Sequence, residues 1–238
     1  AAAATTADLA IGYLKRVLDN RDIFSAGGGK TTAAGMDMDP AQGDGPESRE
    51  PVVSQARRPA GNDDPLSRLM DGNRRFAAGQ TVHPNQSGMR REEVAKGQKP
   101  FAIILTCSDS RLPPEILFDT GLGDLFVVRT AGEVVGELEI GSIEYAAEHL
   151  GATHLRILGH ERCGAVDATI KGGEASDAIS RIVMQIQPAV AAAKGKTGDL
   201  LDNAIRQNVF LVKNAVMRSP VIEDLLHEKH LSISTAYY

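Results

Sequence analysis

Three short, continuous apolar runs stand out in the C-terminal two thirds of the chain: Phe101 to Cys107, introduced by Pro100, then Asp124 to Arg129 and His154 to Leu158. Runs of this length that do not alternate with polar residues fit strands buried on both faces. Ile140, Ile143, Ala147 and Leu150 fall at helical spacing between the second and third runs. Helical patterns follow over 165–171, 177–194, 200–217 and 221–227, and Leu231–Tyr238 reads as a last strand. The compact part opens near Asp64-Pro65, an N-cap with Pro at the first helical position, and Leu66, Leu69, Met70 and Phe76 mark one face of the helix behind it. Apolar strands alternating with helices predict an α/β fold with a mostly parallel central sheet. We expect about four parallel strands plus a last edge strand, flanked by helices, within a domain spanning 63–238.

The first 62 residues have a different texture. Leu9, Ala10, Tyr13, Leu14, Val17 and Leu18 predict a short amphipathic helix over 7–19, in an arm comprising residues 1–24. Residues 25–62 are rich in Gly, Pro, Ser, Asp and Gln, lack a sustained apolar period, and read as a flexible linker. Gly29-Lys30-Thr31 invites comparison with a phosphate-binding loop, but Phe24 occupies the place of that motif's first Gly and no apolar strand precedes it. The arm is expected to contact a partner or a second subunit.

Composition narrows the function. The 238 residues are 42% apolar, enough for one sizeable core. Formal charge is 26 − 31 = −5 and the basic residues form no long run, which argues against a nucleic-acid surface and leaves small solutes as partners. No apolar stretch approaches the roughly 20 residues that span a bilayer. The only two cysteines are Cys107 and Cys163, and a chain otherwise avoiding Cys suits a reducing compartment, cytoplasmic or the stroma or matrix of an organelle. Ala1–Ala4, as the remnant of a cleaved signal, would instead fit an exported periplasmic form.

Those two cysteines carry the candidate chemistry. Cys107 closes the first apolar run and Gly159-His160 closes the third. Ligands in open α/β sheets sit beyond the carboxyl ends of strands, so Cys107 and His160 meet if these strands are neighbours. Cys163 follows His160 by three positions, and Gly164 beside it is expected to let the chain bend sharply. Two thiolates and an imidazole suit tetrahedral zinc, and three protein ligands leave the fourth position open, as in catalytic sites. His83, His154, His227 and His230 lie outside the two motif loops and read as surface or packing residues. Asp109 and Arg111 are spaced to form a bidentate ion pair that keeps Asp109 ionised and able to orient a zinc-bound hydroxide. Asp109 is also close enough to serve as a fourth ligand in a closed form.

These residues resemble the β-class carbonic anhydrases. The resemblance rests on CSDSR at 107–111, GLGDLFVVRTAG at 121–132, GSIEYAAEHLG at 141–151 and GHERCGAV at 159–166, with LMDGNRRF at 69–76 and KGQKP at 96–100, and it covers about 64–238. It implies one Zn2+ per chain on Cys107, His160 and Cys163, with Asp109 and Arg111 as the catalytic dyad. The activity implied is reversible hydration of carbon dioxide to bicarbonate and a proton by a zinc-bound hydroxide. It further implies a homodimer or higher even oligomer with the substrate pocket at the subunit interface, lined by Gln98, Phe126, Ala131, Tyr145 and the backbone N–H of Gly164. One departure is that Thr130-Ala131-Gly132-Glu133 follows Arg129 where the plant-like pattern has Asn-Val-Ala-Asn, so Ala131 gives a wider, less apolar wall. Two thiolates neutralise the ion, so activity is expected to rise with pH through the mildly alkaline range. Two other readings compete: a zinc hydrolase of carbonyl sulfide or carbon disulfide on the same scaffold, and a non-enzymatic zinc-stabilised partner-binding module.

Overall fold

The structure is a computed structural model that describes residues 64–238. The arm, its expected helix over 7–19 and the linker over 25–62 lie outside the described residues.

Helix α1 (Pro65–Ala77) begins where the Asp-Pro pair predicts, with the Asp64 carboxylate accepting from Ser67 N at 2.8 Å. It lies against the segment around Phe118 so closely that a Cβ on Gly72 would stand 1.8 Å from the Phe118 carbonyl oxygen, so only glycine fits there. The buried Asp119 carboxylate ties the same surfaces together by accepting from Arg75 Nε at 2.6 Å and from the N–H groups of Val82 and His83. Two short helices, α2 (Gly88–Val94) and α3 (Pro114–Leu117), have no counterpart in the apolar pattern. The first is capped by Ser87 and buries none of its residues, so it leaves no periodic signature.

The sheet consists of β1 (Ala102–Cys107), β2 (Leu125–Thr130), β3 (His154–Gly159) and β4 (Ser232–Tyr237), in the order β2-β1-β3-β4 and parallel throughout. Among the described residues the last edge strand is itself the fourth, so the count is one below the expected four plus one. All six residues of β1 are buried, as a central strand covered on both faces requires. Ile103 and Leu105 face a core shared with α4 (Glu137–Glu148), α7 (Leu200–Val216) and α8 (Pro220–His227). Ala102 and Ile104 face α1 through Leu69, together with Leu112, Leu117 and Phe118. A third apolar cluster, built from α5 (Gly164–Lys171), α6 (Asp177–Ala193) and α7, surrounds Cys107 and Cys163.

The chain leaves β1 for β2 on one side and later returns to place β3 on the other. Neighbouring connections therefore diverge between β1 and β3, and the crevice where open α/β sheets bind ligands opens at their carboxyl ends.

Candidate metal centre

Cys107 ends β1 and His160 directly follows β3, so the pairing of these strands brings them to one crevice. The sharp bend returning Cys163 to the same point occurs at Arg162, in the left-handed region at φ 53°. Gly164 was expected to permit it, yet Gly164 is the first residue of α5 and a Cβ there would meet open space. The ligand atoms of Cys107, His160 and Cys163 all lie within 4.8 Å of one another, and the three residues are buried.

The geometry matches a metal site better than a disulfide or a pair of inert thiols. The two sulfurs are 4.0 Å apart, too far for a disulfide and close to the roughly 3.8 Å that two thiolates span on a tetrahedral zinc with 2.3 Å bonds. His160 Nδ1 donates to the Glu161 carbonyl at 2.8 Å, while its buried Nε2 has no hydrogen-bond partner. That is the tautomer a metal-binding imidazole needs, with one nitrogen free to coordinate and the other anchored. Hydrogen bonding from Cys163, opposed by burial and assisted by His160 and Gly132 N–H, pulls the Cys107 thiol down to about 4. The same contact, with burial, pushes Cys163 up, because a second thiolate would face the first. A divalent cation removes that conflict by letting both ionise. Burial disfavours protonation of His160, but the Cys107 sulfur beside it outweighs this and raises its pKa.

Asp109 stands at the rim, with Oδ2 4.0 Å from His160 Nε2. Arg111 holds both carboxylate oxygens, Nε to Oδ1 and Nη2 to Oδ2 at 2.8 Å each, and its own N–H adds a bond to Oδ1 at 3.0 Å. This fork holds the Asp109 carboxyl well below the usual carboxylate range. Arg111 Nη2 also reaches the Arg162 carbonyl at 3.4 Å and so joins the two ligand loops. Arg111, Leu112, His160, Glu161, Arg162 and Tyr238 line a cleft of about 360 Å³ leading to the site.

The remaining expected pocket residues divide into two groups. Ala131 opens the one-turn 3-10 helix Ala131–Glu133 beside Cys107, and Gly164 sits exposed at the start of α5. Phe126 and Tyr145 pack together, ring centres 6.4 Å apart, but Phe126 pairs with Ile103 near the amino end of β1. That is four residues, or about 13 Å, down the strand from the level of Cys107. Gln98 precedes that same end of β1. One chain alone does not bring these three residues to its own metal ligands.

Three polar residues around the site had not been singled out. Arg129 donates to the Cys107 carbonyl at 3.0 Å and to the Asp109 carbonyl at 2.7 Å, fixing the backbone of the dyad loop. Its signal was present, as a charge inside an otherwise apolar strand. Glu133 is fully buried, with Oε1 accepting from Asn208 Nδ2 at 3.0 Å and Oε2 unpartnered. Burial, only partly offset by that amide, pushes its carboxyl up to about 7. Asn208 comes from α7, and no local pattern links it to a turn 75 residues earlier.

Comparison with known proteins gives the family. The profile of the family described as Carbonic anhydrase matches residues 102–238. A carbonic anhydrase of Mycolicibacterium smegmatis is 40% identical over 176 residues, covering 71% of this chain and 85% of that one. Carbonic anhydrase 2 of Mycobacterium tuberculosis is 47% identical over 126 residues, covering 50% of this chain and 61% of its own. Among solved structures, the Coccomyxa β-carbonic anhydrase in complex with acetazolamide superposes with a TM-score of 0.57 at 25% identity, covering 72% of this chain and 82% of that one. A tetrameric β-carbonic anhydrase of Sordaria macrospora, at 22% identity and a TM-score of 0.58, covers 73% of this chain and 91% of its own and shares the fold. The chain belongs to the β-class carbonic anhydrases.

Proposed function

We infer that this protein reversibly hydrates carbon dioxide to bicarbonate and a proton at a zinc site formed by Cys107, His160 and Cys163, one ion per chain. The observation that carries this reading is the convergence of those three buried ligand atoms within 4.8 Å, with the Asp109–Arg111 pair at their rim, in a chain of the carbonic anhydrase family. Bound zinc supplies Lewis acidity that brings the ionisation of water toward neutral pH, an effect that two thiolates blunt.

The chain's own residues do the rest. Asp109, kept ionised by Arg111, accepts a hydrogen bond from the attacking nucleophile and aims its lone pair at the carbon of carbon dioxide. The N–H of Gly164, at the start of α5, is available to the negative oxygen that develops during attack. Arg111 engages both Asp109 oxygens, and release of that fork would be needed for Asp109 to become a metal ligand in a closed form. Both thiols must stay reduced to bind the ion, which suits a reducing compartment.

Phe126, Tyr145 and Gln98 complete the site from a second copy of the chain. Their distance from this chain's own ligands supports that reading, as does the exposure of Tyr145 and of Leu138 seven residues before it on α4. The other readings, a hydrolase of carbon dioxide analogues and a non-catalytic zinc module, gain support from neither the site nor the family.

Stopped-flow hydration with a pH indicator tests the reading, paired with zinc analysis of the same sample. We expect activity that rises with pH and about one zinc per chain. A folded, zinc-free protein, or a zinc-loaded one without hydration activity, would sink it.

A further inference from the structure

Helix α7, which packs in the same apolar cluster as Cys107 and Cys163, also reaches the metal site through a turn that none of the ligands belongs to. The turn Ala131–Glu133 carries two consecutive residues in the left-handed region, Gly132 at φ 69° and Glu133 at φ 43°. For glutamate that conformation is strained and persists only where its surroundings hold it. Gly132 is confined for a second reason, since a Cβ would stand 2.7 Å from Ile186 Cδ1 and 3.1 Å from Ala165 Cβ. At the front of the turn, Gly132 N–H donates to Cys107 Sγ at 3.3 Å. At the back, Asn208 Nδ2 donates to the Gly132 carbonyl at 2.7 Å and to Glu133 Oε1 at 3.0 Å, using both hydrogens of its amide. Asn208 is itself 1% exposed. The helix under it has little room to shift: a Cβ on Gly159, the residue before His160, would stand 2.5 Å from Val209 Cγ2.

We propose that Asn208 is a positioning residue of the metal centre, whose amide holds the strained turn so that Gly132 N–H stays on the Cys107 sulfur. An N–H donor on a thiolate withdraws electron density from it and fixes its direction toward the ion. Asn208 touches neither metal nor substrate and acts wholly through the turn. The inference rests on Cys107 being a metal ligand and goes beyond it, because it assigns control of that ligand to a helix remote in sequence.

The test uses the full chain loaded with cobalt in place of zinc, whose thiolate-to-metal charge-transfer absorption reports electron density on sulfur. Asn208→Leu removes both donors while keeping the branched shape of the side chain, and Asn208→Ala removes them with the side chain. Val212→Ala, one turn further along α7 in the neighbouring apolar core, is the control for plain loss of packing. The Asn208 variants are expected to shift the charge-transfer band to lower energy. They should also release metal to a competing chelator about 10-fold more readily, the lower end of the usual effect of losing a ligand's supporting partner. Val212→Ala should melt at a lower temperature yet keep the native band and metal affinity. If one Asn208 variant fails to fold, the other decides. A native band and affinity in the Asn208 variant would overturn the proposal, and so would an equal shift in Val212→Ala. A native protein with no charge-transfer band would overturn the metal assignment along with it.

Discussion

The loop after β1 and the turn after β2 each bring one carboxyl to the proposed metal ligands and hold it in the opposite condition. Asp109, with its side chain 19% exposed, lies in the fork of a guanidinium that favours its charged form. Glu133, with none of its surface exposed, has one amide donor and a free oxygen, and burial raises its pKa to about 7. Two acids close to the same ligands thus differ because one has a cation and water beside it and the other has neither. The exposed acid is suited to chemistry, which needs a fixed charge that can meet substrate. The buried one belongs to the framework that shapes the ligand loop.

The largest expected effect bears directly on that division. Asp109→Asn should retain zinc while losing about 100-fold or more of kcat, as removal of a group that handles a proton commonly does. A fully active variant would abolish the contrast. Glu133→Gln should do the converse, leaving hydration largely intact and altering the pH dependence of folding in the metal-free protein. A carboxyl raised from its ordinary 4.5 to about 7 adds stability that is fully present below about pH 4.5 and is lost as pH rises through 7. Native protein should therefore lose up to about 3 kcal/mol relative to Glu133→Gln across that window, measured by urea unfolding at a series of pH values. Asp109 acts with the opposite sign: its depressed pKa gives stability present above its ordinary value and lost as pH falls below it, and its access to solvent keeps that contribution small.

Gly132→Ala strains the turn from inside, through its positive φ and the close Ile186 methyl, and should cost roughly 2 kcal/mol in thermal unfolding. Thr130→Val probes the same turn most gently. It removes the hydroxyl that donates to the Val134 carbonyl at 2.6 Å, and about 1 kcal/mol should go with it. If both variants left stability untouched, the turn would not be the rigid element that sets it apart from the Asp109 loop.

Much of this is legible in the sequence. The continuous runs ending at Cys107 and Leu158, the Asp64-Pro65 helix start and the helical stretches through 227 correspond to observed elements within a few residues. They could be read because β1 and β3 are buried along nearly their whole length and the longer helices bury one face. Helices α2 and α3 are not visible in the pattern because they are too short to show a period, and α2 buries none of its residues. Gly164 was given the bend that Arg162 makes, because glycine is the usual but not the only residue to enter the left-handed region. The site divided in the same way. Cys107, Asp109, Arg111, His160 and Cys163 lie in two short segments, and their spacing alone carries the chemistry. Phe126, Tyr145 and Gln98 are expected at a subunit interface, and within a single chain they stand at the other end of the sheet from the ligands.

The sequence by itself determined the donor set, the dyad and the alternation that yields a parallel sheet, because each depends on residue type and local spacing. Only the tertiary structure decided that β1 and β3 are neighbours, which makes two distant cysteines a pair 4.0 Å apart, too far for a disulfide. It alone placed Asn208 behind Gly132 and left Glu133 without a second partner. Contacts across 75 residues depend on how helices pack over the sheet, and no periodicity along the chain encodes which polar group will be buried against which.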